Sequence, residues 1–152
     1  MIATDGAQIS TDRTESGSLM STDRIEEINR ITERIIGAAY KVANRLGHGF
    51  MEKVYENAMA HELRKDGLKV EQQSCIAVYY DGVVVGDYVA DLVVNELVIV
   101  ELKSIKVLEE IHAAQCINYL AATGRPVCLL INFAKKVEIK RFAGPAFQSM
   151  DS

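Results

Sequence analysis

Three charged residues stand out because they interrupt two very apolar segments of the chain. Asp91 lies in one such segment, and Glu101 and Lys103 lie two residues apart in the next. Successive side chains of a β-strand point to opposite faces, so Glu101 and Lys103 share a face, roughly 7 Å apart along the strand. Two carboxylates can hold Mg²⁺ through oxygen, and an ammonium can steady an attacking water or a developing negative charge. These residue types therefore suit metal-assisted cleavage of a phosphodiester.

The surroundings of the three charges make them informative. Residues 88–104 are almost wholly apolar and predict two buried strands joined at Asn95-Glu96. A charge inside such a strand is costly unless it is paired or binds a cation. The plainer interpretation is that Lys103 pairs with Glu101 or Asp91 at the end of a sheet, since Glu and Lys two residues apart are common. The motif alone leaves both interpretations open.

The connection between the two strands decides whether Asp91 and Glu101 can share a site. A two-residue hairpin would place them on opposite faces of the sheet. A shared site needs one more residue in the loop, or a bulge, so that Val94 pairs with Val98. Asn95 favours the longer loop because Asn tolerates the left-handed backbone conformation. We therefore predict that Val94 pairs with Val98 and that the two carboxylates approach within the span of one bridging ion.

Length and charge limit the classes of function. The chain has 152 residues, of which 49% are hydrophobic, enough for one respectable core and one domain. A net charge of -4 argues against a broad basic surface that binds nucleic acid, so any contact with nucleic acid must be local. One basic patch could bind a phosphate backbone, and the alternative is that its residues are simply solvated. Its residues are Lys135, Lys136, Lys140 and Arg141, with Lys103 and Lys106 elsewhere.

Cysteine usage and hydropathy predict a cytoplasmic protein. Cys75, Cys116 and Cys128 are an odd number within apolar patterns, which suits buried thiols in a reducing compartment. The first twenty residues are polar, and no apolar run approaches the length of a membrane span. The sequence therefore predicts no leader peptide and no membrane contact.

The order of helical and strand patterns predicts a mixed sheet flanked by helices. We expect a flexible N-terminal tail over 1–21, a domain over 22–143 and a C-terminal tail over 144–152. A neighbouring subunit that orders the first tail would make the protein a homo-oligomer. The predicted helices run from an N-cap at Asp23 to Gly47, from Met51 to Lys65 and from Leu108 to Thr123. The other predicted strands are Lys69–Tyr80, Val83–Val89, Val127–Phe133 and Val137–Phe142, with Asp81-Gly82 as a hairpin turn.

Two helices carry further candidate residues. Glu52 lies in the first turn of the second helix, where the helix dipole alone would favour a carboxylate. His112, Gln115 and Tyr119 share one face of the third helix. Gln115 and Tyr119 can donate hydrogen bonds to a phosphate or orient a metal ligand, and a half-buried polar edge is the alternative. His112 is expected on a polar helix face.

Together these motifs resemble a known nuclease superfamily. Asp91, Glu101-Leu102-Lys103 and the helical Gln115–Tyr119 segment resemble the PD-(D/E)XK nucleases, and the Gln-x-x-x-Tyr element is similar to that of RecB-type and Cas4-type members. Gly49-x-x-Glu52-x-x-Tyr55 and Leu130-Ile131-Asn132-Phe133 resemble more closely the small bacterial GxxExxY proteins, a branch of that superfamily.

The resemblance spans roughly Ile25 to Phe142 and includes two departures. Ala134 stands where Gly is expected after the Asn-Phe pair, and Ala90 replaces the Pro before the Asp. The conjunction of spaced motifs in the right order is far more specific than any one of them.

The resemblance implies a restriction-endonuclease-like α/β core and a nuclease that acts on DNA. An oxygen-rich set of ligands without histidine suits Mg²⁺ or Mn²⁺ and does not suit Zn²⁺. The implied roles are metal binding by Asp91, Glu101, Glu52 and the carbonyl of Leu102, action on the water or phosphate by Lys103, and support from Gln115 and Tyr119.

Two hypotheses from different classes follow. The first is a metal-dependent nuclease, within a larger assembly or in defence or repair. The second is a non-catalytic binding or assembly module that keeps the nuclease fold, which the acidic balance and small size of the chain favour. A buried Asp, Glu and Lys favour the first, because a module without catalysis has no physical reason to retain their cost.

Overall fold

The computed structural model describes residues 21–145 and 147, and this part of the chain forms three helices and five strands. The expected N-terminal tail therefore lies outside the described residues except for Ser21. The helices are α1 (Thr22–Leu46), α2 (Glu52–Lys65) and α3 (Glu110–Thr123). The strands are β1 (Val70–Tyr80), β2 (Val83–Val94), β3 (Val98–Lys103), β4 (Val127–Phe133) and β5 (Val137–Ala143).

The five strands form one mixed sheet in sequence order, which confirms the predicted α/β architecture. Strands β1, β2 and β3 form an antiparallel meander, β3 and β4 are parallel, and β4 and β5 form a hairpin. Parallel neighbours require a crossover connection, and α3 supplies it. Since β3 and β4 run in the same direction, their last residues meet at one edge, where Lys103 pairs with Asn132.

Helices cover both faces of the sheet. The larger core lies between the sheet and α1 with α2, and the smaller core lies beneath α3. Strands β3 and β4 are buried on both faces, which explains why their sequences are apolar without alternation. The stripe of α1 faces the larger core, as its spacing predicts, through Ile28, Ile31, Ile35, Ala39 and Val42.

Three element boundaries differ from the predicted ones by two residues or more. Ser21, two residues before Asp23, is the N-cap of α1, because its hydroxyl accepts a hydrogen bond from the Arg24 N–H at 3.2 Å. Strand β2 continues unbroken from Val83 to Val94 and does not end at Val89.

The Asp81-Gly82 turn has positive φ at both residues, as a type I′ hairpin requires.

The third difference is the start of α3, at Glu110 and not at Leu108. A reciprocal capping box sets this start. The side chains of Glu109 and His112 each bond the backbone N–H of the other, and the Glu109 N–H reaches His112 Nδ1 at 2.9 Å. His112 is therefore a capping residue of this helix.

Beyond the expected end of the domain at residue 143, Phe147 is 1% exposed and packs in the larger core. The Arg141 guanidinium lies over its ring, 5.2 Å from the centroid.

Within residues 21–145 and 147, none of the helices is long and apolar enough to cross a membrane.

The predicted register between β2 and β3 is confirmed. Val94 pairs with Val98, and the ladder continues to Leu92 and Val100. The loop has three residues, and both Asn95 and Glu96 have positive φ, at 51° and 60°. Asn95 also ties the loop to the chain before β1, since its Oδ1 accepts the Lys69 N–H at 2.8 Å. This loop is what aligns Asp91 with Glu101.

Asn95→Ala is expected to lower the free energy of unfolding by about 1–2 kcal/mol, because Ala tolerates positive φ poorly and leaves the Lys69 N–H without its acceptor. Asn95→Asp keeps both the acceptor and the tolerance of this conformation, and should unfold close to wild type in urea. Equal stability of the Ala and Asp variants would contradict this account of the loop.

Candidate active site

The carboxylates of Asp91 and Glu101 lie between β2 and β3, where the backbone ladder ends. The last paired residues are Leu92 and Val100. Beyond them side chains replace carbonyls as acceptors: the Asp91 N–H donates to Glu101 Oε2 at 2.9 Å, and the Leu102 N–H donates to Asp91 Oδ2 at 2.8 Å. Each carboxylate therefore accepts a backbone N–H from the opposite strand. The two side chains share one site, as the register predicts.

Burial gives this pair of carboxylates unusual electrostatics. Glu101 is only 4% exposed, and burial, together with the charge of Asp91, raises its pKa to about 8. Burial also raises the pKa of Asp91, and the charges of Glu56 and Glu52 add to that rise. The site therefore holds more negative charge than it can stabilise by itself near neutral pH, and a cation would favour the ionised forms.

Lys103 is half-buried at the end of β3 and is not engaged in an ion pair. Among the residues that the structure describes, no carboxylate lies within 4 Å of its ammonium. Burial has the largest influence on the pKa values of Asp91 and Glu101, and the Lys103 charge acts against it. Lys103 is therefore close enough to act on the site, while the plainer interpretation of a closed ion pair is not what the structure contains.

Glu52 is the first residue of α2 and is exposed. Its charge helps to raise the pKa values of Asp91 and Glu101, although burial has a larger effect on both. Within residues 21–145 and 147, no three His, Cys, Asp or Glu side chains are grouped closely enough to hold a metal ion. A ligand role for Glu52, or for the carbonyl of Leu102, stays a prediction.

Glu56, one turn after Glu52, is a member of the site that sequence reasoning missed. It is 3% exposed and accepts hydrogen bonds from Lys53 Nζ at 3.1 Å and from the side-chain amides of Gln72 and Gln73, each at 2.7 Å. Such bonding compensates a carboxylate for burial. Its spacing of four residues from Glu52 places both on one helix face, which is a signal that could have found it.

Gln73 bridges Glu56 to Asp91 from a distorted position in β1. Its Nε2 donates to Glu56 Oε1 at 2.7 Å and lies 3.4 Å from Asp91 Oδ1. Its φ is 54°, and it has no ladder partner, although Gln72 and Ser74 pair regularly on either side. A left-handed residue inside a strand is rare, and nothing in the Gln-Gln-Ser sequence signals it.

The distortion reverses the faces of both strands of the β1–β2 ribbon. Between Gln73 and the loop at residues 95–97, Val70 and Leu92 pack in the core beneath α1 and α2. On the other side of Gln73, Ile76 and Ala90 pack beneath α3. Asp91 therefore lies at the crossover point, beside the gap between β2 and β3.

Gln115 and Tyr119 form a hydrogen-bonded pair on α3. Gln115 Nε2 donates to the Tyr119 hydroxyl at 2.8 Å, and that hydroxyl lies 3.4 Å from the Val89 carbonyl. Burial, then the charges of Glu101 and Asp91, raises the pKa of Tyr119. The phenol therefore remains protonated as a donor near the carboxylates. Tyr119 is 3% exposed, so its hydroxyl lies below the surface, close enough to Glu101 and Asp91 for their charges to affect its pKa.

Tyr55 holds the segment that precedes α2. Its ring stacks on Phe133 with centroids 4.3 Å apart, and its hydroxyl donates to the Gly47 carbonyl at 2.6 Å and lies 3.3 Å from the Phe50 N–H. The Ser104 hydroxyl donates to the Phe50 carbonyl at 2.7 Å. The start of α2 is thereby fixed against the end of β3, which brings Glu52 towards the carboxylates.

Asn132 holds the loop after β3 from the adjacent strand. It is fully buried, its Oδ1 accepts the Ile105 N–H at 3.0 Å, and its Nδ2 donates to the Ile105 carbonyl and to Glu138, each at 2.9 Å. Ala134, in place of the expected Gly, does not have positive φ, so the turn there needs no glycine.

Comparison with known proteins adds to this geometry. An alkaline exonuclease (LHK-Exo) from Laribacter hongkongensis is similar in structure, with a TM-score of 0.47 and 13% identity. That match covers 65% of this chain and 59% of the exonuclease, less than two thirds of its length. No curated protein matches. The family model of the PD-(D/E)XK nuclease superfamily matches residues 29–142, well over half of the chain and every candidate site residue. The chain belongs to the PD-(D/E)XK nuclease superfamily.

Proposed function

We propose that the protein is a metal-dependent nuclease that hydrolyses phosphodiester bonds of DNA. The observation that carries the proposal is the exchange of backbone hydrogen bonds by the carboxylates of Asp91 and Glu101 between β2 and β3. It fixes one half-buried and one buried carboxylate beside a lysine without an ion-pair partner in the described chain. Membership of a nuclease superfamily supports the same chemistry.

The donor set fits a hard divalent cation such as Mg²⁺ or Mn²⁺. Asp91 and Glu101 supply carboxylate oxygens, and the raised pKa of Glu101, about 8, reflects burial beside a like charge that a cation would relieve. Glu52 and the carbonyl of Leu102 are the further ligands of this proposal. A bound cation would supply Lewis-acid stabilisation of the phosphate and a more acidic water.

The residues of the chain divide the remaining work. Lys103 steadies the attacking water or the charge that develops on the phosphate, because its ammonium is free to approach either. Tyr119, oriented by Gln115, supports the floor of the site as a neutral donor. Glu56 and Gln73 hold Asp91 in place from α2 and β1. Water adds to phosphorus, one P–O ester bond breaks, and the leaving oxygen takes a proton.

The proposal includes a finer classification, in the GxxExxY branch. Gly49 has a φ of 104°, which an L-residue rarely adopts, and Tyr55 anchors the segment beside it. Glu52 begins the helix that follows. These are physical reasons for each residue of that motif. A cytoplasmic location and self-association are part of the same proposal.

Mg²⁺ or Mn²⁺ should stabilise the fold, because a cation that binds the native carboxylates favours the folded state. At a concentration of about 100 Kd we expect a rise in Tm of about 5–10 °C. Asp91→Asn keeps an oxygen that can accept the Leu102 N–H but removes a charge, so the rise should be blunted. A rise of the same size in this variant, followed by differential scanning fluorimetry with Ca²⁺-free and chelator controls, would count against Asp91 as a ligand.

Lys103→Ala and Glu101→Gln should separate two roles in cleavage. Lys103→Ala is expected to lose at least about 10²-fold in cleavage rate while the metal-dependent rise in Tm survives, since an ammonium does not ligate the ion. Glu101→Gln is expected to lose both. Plasmid and single-stranded DNA are incubated with Mg²⁺ or Mn²⁺, with and without chelator. Lys65→Ala is the matched control, because it removes a lysine at the end of α2 that is far from Glu52.

Equal cleavage by wild type and Lys103→Ala would overturn the mechanism. Wild-type protein without cleavage of any DNA substrate, with its metal response intact, would favour the non-catalytic module.

Stability of the metal-free protein should fall as pH rises from about 5 to 8. The pKa of Glu101 is raised in the fold to about 8 from an ordinary 4.5, so between these values the native state binds more protons than the unfolded state. The free energy of unfolding then decreases with pH and levels off above the folded pKa. The raised pKa of Asp91 acts in the same direction.

Glu101→Gln should remove most of this dependence and be more stable than wild type at pH 8 in chelator, while near pH 5 the two should be similar. Urea unfolding at several pH values measures the difference. If the free energy of unfolding varied with pH equally in wild type and Glu101→Gln, the raised pKa of Glu101 would be contradicted.

A further inference from the structure

A groove lies beside the candidate active site, between the loop that follows β3 and the turn between β4 and β5. It has a volume of about 640 Å³ and is lined in part by His48, Ser104, Lys106, Lys135 and Lys136. A second cavity of about 270 Å³ shares His48 and both turn lysines and adds Tyr40 and Asn44. The two cavities are neighbours that share these lining residues, and we call them together the lysine groove.

The lysines of the groove differ from four lysines elsewhere on the protein. Lys41, Lys53, Lys65 and Lys69 are each paired with a carboxylate. In the part of the chain that the structure describes, Lys106, Lys135 and Lys136 are exposed and have no ion-pair or hydrogen-bond partner. An acidic protein thus leaves unpaired cations in this groove, which is charge complementarity for a polyanion.

The groove is joined to the candidate site through the chain that follows β3, and its shape is fixed by hydrogen bonds. Ser104 lines the groove and directly follows Lys103. Buried Asn132 clamps Ile105, another lining residue, through both its backbone N–H and its carbonyl. Glu138, the acidic residue of the lining, accepts a hydrogen bond from Asn132. A loop fixed in this way loses little conformational freedom on binding.

One exposed aromatic ring lines the groove, and a second follows the lining residue Gly49 in the chain. Tyr40, in its lining, is 48% exposed, and Phe50, whose carbonyl is bound by Ser104, is 46% exposed. Exposed rings next to a basic groove are the usual platform on which bases of single-stranded nucleic acids stack. A duplex keeps its bases stacked inside and offers only its backbone and groove edges.

We propose that the lysine groove binds the phosphate backbone of a single nucleic-acid strand and leads it to Lys103. The volume is that of a site for a small ligand or a few nucleotides, narrower than the broad basic surface on which a duplex rests. This proposal rests on the nuclease function and specifies its substrate. Lys106, Lys135 and Lys136 contact successive phosphates, while Tyr40 and Phe50 stack on bases.

The test measures binding without cleavage. Fluorescence anisotropy in chelator follows a labelled oligothymidylate of about 20 nucleotides, and a duplex of equal length, over a series of salt concentrations. Lys135→Ala/Lys136→Ala should weaken single-strand binding at least about 10-fold and reduce the slope of log affinity against log salt by about 1.4, the loss of two phosphate contacts. Tyr40→Leu should weaken binding several-fold without changing the slope, because stacking releases no counterions.

Lys41→Ala/Lys65→Ala is the matched control. It removes the same charge from exposed lysines that line a different cavity, with Arg34 and Glu62 between α1 and α2. Its single-strand affinity and salt slope should equal those of wild type. The proposal is overturned if the two double variants weaken binding equally, or if wild type binds the duplex as tightly as the single strand. Groove binding that persists in a protein unable to cleave DNA with Mg²⁺ would instead reject the nuclease function alone.

Discussion

The exchange of hydrogen bonds between Asp91 and Glu101 is the constraint on which the rest of the site depends. Where the β2–β3 ladder stops, backbone N–H groups would be left without acceptors, and buried carboxylates would be left without donors. The hydrogen bonds between these N–H groups and carboxylates satisfy both. The strands can therefore separate without unsatisfied groups, and the exchange uses only one oxygen of each carboxylate. Removal of either side chain would disturb both the fold at this point and the proposed metal-ligand set.

A second consequence is that the surrounding residues act mainly to place this pair. Gln73 and Glu56 fix Asp91 from β1 and α2, and Tyr119 approaches from α3. Tyr55 and Asn132 fix the segments on either side of the opening. The parts come from separate regions of the sequence and meet at β2 and at the carboxyl-terminal ends of β3 and β4. In mixed sheets this edge is where sites commonly form, because loops converge there without disturbing the core.

Much of this architecture could be predicted because it depends on local patterns. Helix periodicity, the Asp81-Gly82 turn and the tolerance of Asn95 for positive φ are properties of a few adjacent residues. The last of these, with the requirement that Asp91 and Glu101 share a site, led to the correct register of Val94 with Val98. The left-handed conformation of Gln73 is different, since its neighbours in space and not in sequence impose it. The cap at Glu109 was missed for a related reason, because Glu is an uncommon N-cap and depends on His112 to complete the box. Whether Glu52 completes a ligand set is likewise a matter of side-chain placement that spacing does not fix.

The reversal of faces at Gln73 and Asp91 also restricts how the chain can tolerate changes in length. Both strands of the ribbon reverse together, so the paired residues on either side remain in register. A single deletion in β1 beyond Gln73 would reverse one strand alone, turning Ile76 outward and Cys75 inward against α3. A compensating deletion in β2 would restore the pairing only if it fell between Ala90 and the hairpin turn. Natural variants of this chain are therefore expected to gain or lose residues near the Asp81-Gly82 turn, where the ribbon already contains a register shift beside Val78 and Tyr79, and not next to Gln73.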